Sequence, residues 1–337
     1  MATTAPSINP VKQLVRRREG GPGLVGAREL GVLVPLIALI AIFYVDNANF
    51  GSSANASAIL QAVAYVGIIA IGQGILMLCG EIDISVGSVA GLGGVLWAWL
   101  MARQGIPPIP ATLLVLVAGA AIGAFNGIVT VKVGVPALVT TLGMFFIARG
   151  LAYVVTDGYA IYRLPHSVEE FGSGKWLGLA WSVYGLFALV IVADVVMRHT
   201  RLGSRILATG GNESAARSVG IDTDRVKIGS FMLTSVLSVI AGMIVVAQIR
   251  SGDPTIGTGL ELQAIAAVVI GGVSLLGGVG RVLGIFFGVC LMQVIASGMV
   301  FMHVDTNYQN VVIGFLLIGS VALDVIQRRR SGRGRRA

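Results

Sequence analysis

The stretch LMLCGEIDISVGSVAG (residues 76–91) sets two carboxylates, Glu81 and Asp83, between long apolar runs, and no basic residue lies within ten positions of either. An unpaired buried carboxylate is costly, so such groups beside membrane segments are rare and usually have a role. Composition supplies the setting. Of 337 residues, 55% are hydrophobic and only 12% charged, with a mean hydropathy of +0.87. Soluble domains carry roughly 25% charged residues. Apolar runs of about 20 residues, the length that spans a bilayer as a helix, recur along the chain. The expected fold is all-α, a polytopic membrane protein.

Spans are predicted near 31–45, 56–79, 84–102, 110–131, 136–156, 177–197, 228–249, 260–278, 282–301 and 309–326. Residues 1–30 form a basic N-terminal arm, 31–327 the transmembrane domain and 328–337 a basic tail. The first span is read as a retained helix, although ANASA (54–58) has small residues spaced like a signal-peptide cleavage site. Ten spans put both termini on one side. Of the 24 Lys and Arg, only Arg103, Arg163, Lys175 and Arg250 then fall on the opposite side, and Arg149 lies within the fifth span. Basic residues accumulate in cytoplasmic loops, so both ends are expected in the cytoplasm. The net charge of +8 thus reports topology rather than nucleic-acid binding.

The 47 glycines crowd into helices, where small residues let membrane helices approach closely. GEIDISVGSVAGLGG and IGGVSLLGGVGRVLG share one plan, a span, a Gly-rich break and another span, which hints at an internal repeat. Polar residues within spans face a cavity or a neighbouring helix, so Gln61, Tyr65, Gln73, Asn126, Thr140 and Thr141 are candidate pathway residues. Cys79 and Cys290 lie in separate apolar segments and suit packing. GSGKW (172–176) lacks the hydroxyl residue and the preceding Gly of a P-loop. His166, His199 and His303 lack metal-ligand spacing, so neither a nucleotide site, a metal nor catalysis is expected on this chain.

The longest cytoplasmic loop, 198–227, contains a short helix signal. Asn212 is a good N-cap, Glu213 sits in the first turn and Gly220 can stop the helix. About two turns lie between, too few for stability alone in water, so the segment needs a surface to dock on.

At this point the chain resembles the permease subunits of bacterial ABC importers for monosaccharides, the ribose/xylose/arabinose group. The motif segments are GEIDISVGS (80–88), VPALVTTLGMFFIARG (135–150), ATGGNESAARSVGI (208–221) and LELQAIAAVVIGGVSLLGGVG (260–280). They stand in the family's order, and the likeness covers about 31–327. The resemblance implies a multi-pass protein of the bacterial plasma (inner) membrane, with two copies forming a homodimer in lipid. It implies a cytoplasmic ATPase that binds ATP and magnesium, and a periplasmic sugar-binding protein. It identifies 213–219 as the coupling helix, with Asn212, Glu213, Ser214, Ala215, Ala216, Arg217 and Gly220 as coupling residues. Glu81, where the family most often has Gly, looks more like the xylose-type branch. Gln263 stands where Asp is frequent.

Gly80, Glu81, Asp83, Ser85, Gly87 and Glu261 form the expected structural or gating motif. Asp83 is placed to cap the third span, with Ser85 assisting, or to take part in sugar passage. For Glu81 the sequence leaves open water, Arg149 or Arg281. The preferred function is import of a pentose-like sugar, xylose or ribose, driven by a separate ATPase. The rival is an ion-coupled carrier relaying through Glu81, Asp83 and Glu261.

Overall fold

The central helices meet closely because they or their neighbours carry glycine at the contacts. The computed structural model describes residues 27–305 and 307–333. Its helices are α1 (Ala27–Asp46), α2 (Ser53–Leu78), α3 (Val86–Ala102), α4 (Pro108–Ile128), α5 (Ala137–Thr156), α6 (His166–Ser173), α7 (Trp181–His199), α8 (Arg201–Gly211), α9 (Glu213–Ser218), α10 (Thr223–Ile249), α11 (Leu260–Ile270), α12 (Val282–Phe301) and α13 (Asn307–Arg333). Helix α10 packs against α2, α3 and α4. On α4, Gly119, Gly123 and Gly127 recur every fourth residue. A Cβ at these positions would press on Val239, on the Phe231 carbonyl and on Ile228 of α10. The stripe therefore lets two backbones touch, which drives helix association in a medium without a hydrophobic effect.

Among the described residues, six helices are long and apolar enough to cross a membrane: α2, α4 with its π turn (Val129–Val133), α5, α7, α10 and α12. The apolar windows of α2 and α10 are each 72% buried, whereas α4 and α5 are 28% buried. The first pair is therefore central. The second turns Leu113, Val117, Phe146 and Val154 outward, as lipid-facing surfaces do. Helices α3 and α11, and the apolar stretches Leu30–Asp46 of α1 and Val311–Ala322 of α13, are shorter. Helix α1 packs on α12, where Phe43, Phe50 and Phe301 stack in series with centroids 5.3 and 5.7 Å apart.

A helix lies within each of the ten segments expected to span, but several boundaries differ. The first helix begins at Ala27, inside the expected arm; the rest of that arm and residues 334–337 lie outside the described residues. In place of a helix start at 177, a two-residue hairpin pairs Lys175–Trp176 with Leu179–Ala180. Leu177 and Gly178 both have positive φ (48° and 83°), the signature of a type I′ turn. The expected span 260–278 is the largest correction. Its helix stops at Ile270, because Gly271–Gly272 opens a turn-rich segment with positive φ at Gly272, Gly277, Gly278 and Gly280. Helices α6 and α8 were not expected at all. Helix α6 docks on α10, and α8 starts at a Thr200 cap whose hydroxyl accepts the Gly203 N–H.

Candidate functional site

The end of α2 and the turns after α11 meet at one place. The Gly278 N–H donates to the Leu78 carbonyl at the end of α2 (2.9 Å). The end of α8 fills the same corner, where a Cβ on Gly210 would collide with the Leu78 carbonyl and lie 2.8 Å from the Gly278 nitrogen. The two Gly-rich breaks that share a plan in sequence are thus in contact, with the end of the 198–227 loop segment α8 wedged against both.

Asp83 sits beside this corner and is fully buried. Its Oδ1 accepts the Ser85 N–H (2.7 Å) and hydroxyl (2.5 Å), closing an Asx turn immediately before α3. Asn126 of α4 donates to Asp83 Oδ2 (3.4 Å) and to Ser85 Oγ (3.3 Å). With its amide turned so that both ends are satisfied, Gln73 bonds the backbone N–H and carbonyl of Asp83 at 3.2 and 3.1 Å. Two expected pathway residues, Gln73 and Asn126, therefore brace the α2–α3 loop. Thr140 and Thr141 are buried with no partner for their hydroxyls among the described residues. Gln61 bonds Ser57 (3.2 Å). Tyr65 lines a polar cavity, with Gln263, Gln293 and Gln309.

Glu81 pairs with neither Arg149 nor Arg281. Its partner is Lys227 of α10 (2.8 Å), a residue too distant in sequence to be foreseen. The same ammonium bonds Glu213 (2.7 Å) at the start of α9. Glu213 in turn holds Arg217 (2.9 Å) and the Thr223 hydroxyl (3.2 Å). Arg217 also bonds Asp224, which reaches Lys132 at 2.7 Å. The hydrogen bond from Lys227 holds the Glu213 carboxyl below its usual pKa, with further help from Arg217 and Thr223. A continuous ionic chain thus ties α9 to the loop that carries Asp83.

Helix α9 begins at the expected cap: Asn212 Oδ1 accepts the Ala215 N–H (3.0 Å). Gly220, at φ 82°, ends it, and the Ile221 N–H closes on the Ala216 carbonyl (3.1 Å). Its faces differ in exposure. Ala216 is 3% exposed and points into this chain. Ser214, Ala215, Ser218 and Val219 face outward. Arg217 is held by its own chain's Glu213 and Asp224. Beside α9, a cleft is lined by Arg198, Arg201, Arg205 and His199 together with Val219 and Ile221.

Glu261 lies at the other end of α11 from the second break, in that helix's first turn. After α10 the chain runs back along α3: a Cβ on Gly252 would meet Ala98, one on Gly91 the Ile256 carbonyl and one on Gly87 the Gly257 carbonyl. Arg149 of α5 secures this strap by donating to the carbonyls of Pro254 (2.8 Å) and Ile256 (2.9 Å). Glu261 then opens α11, with Oε1 accepting the Gly259 N–H (3.2 Å) and Oε2 without a hydrogen-bond partner among the described residues. Among the described residues, no hydrogen bond or ion pair joins any two of Glu81, Asp83 and Glu261. Nor does any group of three His, Cys, Asp or Glu side chains suit a metal.

The family described as "Branched-chain amino acid transport system / permease component" matches residues 55–321. The ribose import permease protein RbsC of Escherichia coli is 36% identical over 296 residues, 87% of this chain and 92% of the relative. The L-arabinose ABC transporter permease protein AraH of Azospirillum brasilense is 30% identical over 327 residues, 97% of this chain and 96% of the relative. The autoinducer 2 import system permease protein LsrC of Photorhabdus laumondii is 32% identical over 297 residues, 88% of this chain and 89% of the relative. No solved structure matches. With its glycine-seamed bundle of apolar helices and a match over most of its length, this multi-pass membrane chain belongs to that transport-system permease family.

Proposed function

We propose that this chain is the membrane permease of an ATP-driven importer for a monosaccharide of pentose size, ribose or xylose. It works as two copies, with a cytoplasmic ATPase and a periplasmic binding protein. In this reading ten spans cross the plasma membrane and both ends are cytoplasmic. The carrying observation is α9: a capped two-turn helix whose outward face is Ser214, Ala215, Ser218 and Val219, tied by Glu213–Lys227–Glu81 to a broken helix. A helix this short needs a docking surface, and the ionic chain gives its displacement a rigid route to α2 and α3. The sugar follows from the relatives named for ribose and arabinose. The ion-coupled alternative is not favoured, because Glu81 and Asp83 are occupied by Lys227, Ser85 and Asn126.

The test replaces the outward face. Val219→Glu and Ala215→Trp should abolish co-purification with the cytoplasmic ATPase partner and stop sugar-dependent ATP hydrolysis in proteoliposomes. The permease itself should remain folded. If both variants couple as well as the unmodified chain, α9 is not the coupling element. If uptake needs no ATPase and collapses with the ion gradient, the carrier reading replaces this one.

A further inference from the structure

A cavity of about 150 Å³ lies between α2, α11, α12 and α13. Tyr65 sits near the middle of α2, Gln293 just past the middle of α12, and Gln263 in the first turn of the broken helix α11. Gln309 completes the polar wall, and its amide approaches the Ala296 carbonyl only at 3.5 Å. The side chains of Tyr65, Gln263 and Gln293 make no hydrogen bond to the protein among the described residues. Gln293 is only 9% exposed, and buried carboxamides are otherwise almost always bonded. None of the lining residues is charged, and the opposite wall is aliphatic, with Leu260, Met292, Ile295, Met299, Val312 and Ile313.

From this geometry we infer that the chamber is a transient binding site within the permease for one neutral, polyhydroxylated ring. The inference rests on the importer reading and adds where the cargo pauses. Three carboxamides offer both donors and acceptors, as do the hydroxyls of a sugar. Without a charge, the site rejects anions and cations, which would be left unpaired in a low-dielectric wall. Its volume is about half the lower bound for sites of drug-sized ligands, roughly 300 Å³, so a single monosaccharide fits and a disaccharide does not. The much larger cleft of about 930 Å³ beside Trp97 and Trp181 is nearly all apolar, and holds no comparable set of free polar groups. Neutral amide contacts are individually modest, which suits a site that must also release its cargo.

The experiment uses the permease assembled with its ATPase and binding protein in proteoliposomes, with radiolabelled D-ribose, D-xylose and L-arabinose as probes. Gln263→Leu and Gln293→Leu should each lower uptake at least tenfold, with co-purification and unstimulated ATP hydrolysis unchanged. In a background with Cys79 and Cys290 changed to Ser, Ala296→Cys should react with a methanethiosulfonate reagent. A pentose should slow that reaction, and modification should stop uptake. The thiol measurement decides if a Leu variant fails to assemble. Where the unmodified complex imports a pentose, uptake within twofold of normal after thiol modification, or a reaction rate that no pentose alters, overturns the chamber and leaves the importer reading standing. If no pentose is imported yet one protects the thiol, the chamber stands and the importer reading falls. If none is imported and none protects, both fall.

Discussion

Asp83 shows how one buried carboxylate can be structural without being paired to a cation. Its Oδ1 serves the Ser85 N–H and hydroxyl, and its Oδ2 takes Asn126. The Asn126 Oδ1 has no partner among the described residues. Asp83→Asn therefore keeps the acceptor for Ser85, and its new amide can donate to Asn126 Oδ1 once the Asn126 amide turns over. It should fold and transport near normally. Asp83→Ala strands a buried N–H and should cost about 1–3 kcal/mol, seen as a lower thermal transition in detergent. Loss of uptake by a normally stable Asn variant would show that the charge itself is needed. Glu213 gives a pH dependence of known sign. Its folded pKa lies below the ordinary 4.5 because Lys227 hydrogen-bonds the carboxylate. The stability it confers is therefore complete above that ordinary value and is lost as pH falls through the folded one. Protection against hydrogen exchange at the amides of Ala216–Val219, taken relative to the intrinsic rate at each pH, should hold from neutral pH downward and fall only below pH 4.5. Loss of protection already between neutrality and that value would contradict the assignment.

At the scale of an element, α9 and the glycine corner carry the predictions. Ala216 faces inward, so Ala216→Trp should overpack the chain's own interior at a cost of about 1–3 kcal/mol and lower the yield of folded permease. Ala215→Trp, on the outer face, should leave stability unchanged and act only on the ATPase. Equal thermal transitions for the two variants would refute this division of faces. Gly210→Ala should be worse than either. Its Cβ would collide with the Leu78 carbonyl and crowd the Gly278 nitrogen, and both are backbone atoms that cannot rotate away. Little folded protein should survive in the membrane fraction, whereas Gly229→Ala, in open space on α10, should be silent.

Across the whole molecule the prediction is topological. Basic residues divide so unevenly between the loops that 157–176 is expected outside and 198–227 inside. In the cysteine-free background, Tyr159→Cys, at a site 77% exposed, should react with an impermeant maleimide added to intact cells. Ser204→Cys should react only after lysis. The opposite pattern would reverse the chain in the membrane and put α9 out of reach of any cytoplasmic ATPase. The unequal burial of α2 and α10 against α4 and α5 fits a bundle whose centre is protein and whose rim is lipid.

Local chemistry made much of this legible in the sequence. Apolar runs placed a helix within each expected span, and Asn212 with Gly220 bounded α9, because caps and hydropathy depend on neighbours a few residues away. The motif at 80–88 and its companions identified the family for the same reason, as contiguous strings. Other features needed the tertiary structure. Apolar composition alone cannot distinguish an eleven-residue half-helix from a full span, so the glycines at 271–280 had to be seen turning against Leu78 and Gly210. Lys227 could not be chosen as the partner of Glu81, since ion pairing depends on distance in space and α10 returns to that loop only after folding. Which alanine of α9 faces out, and which glutamines are left unbonded around one small cavity, were likewise decided by packing, because helical neighbours fix a face only once the bundle has assembled.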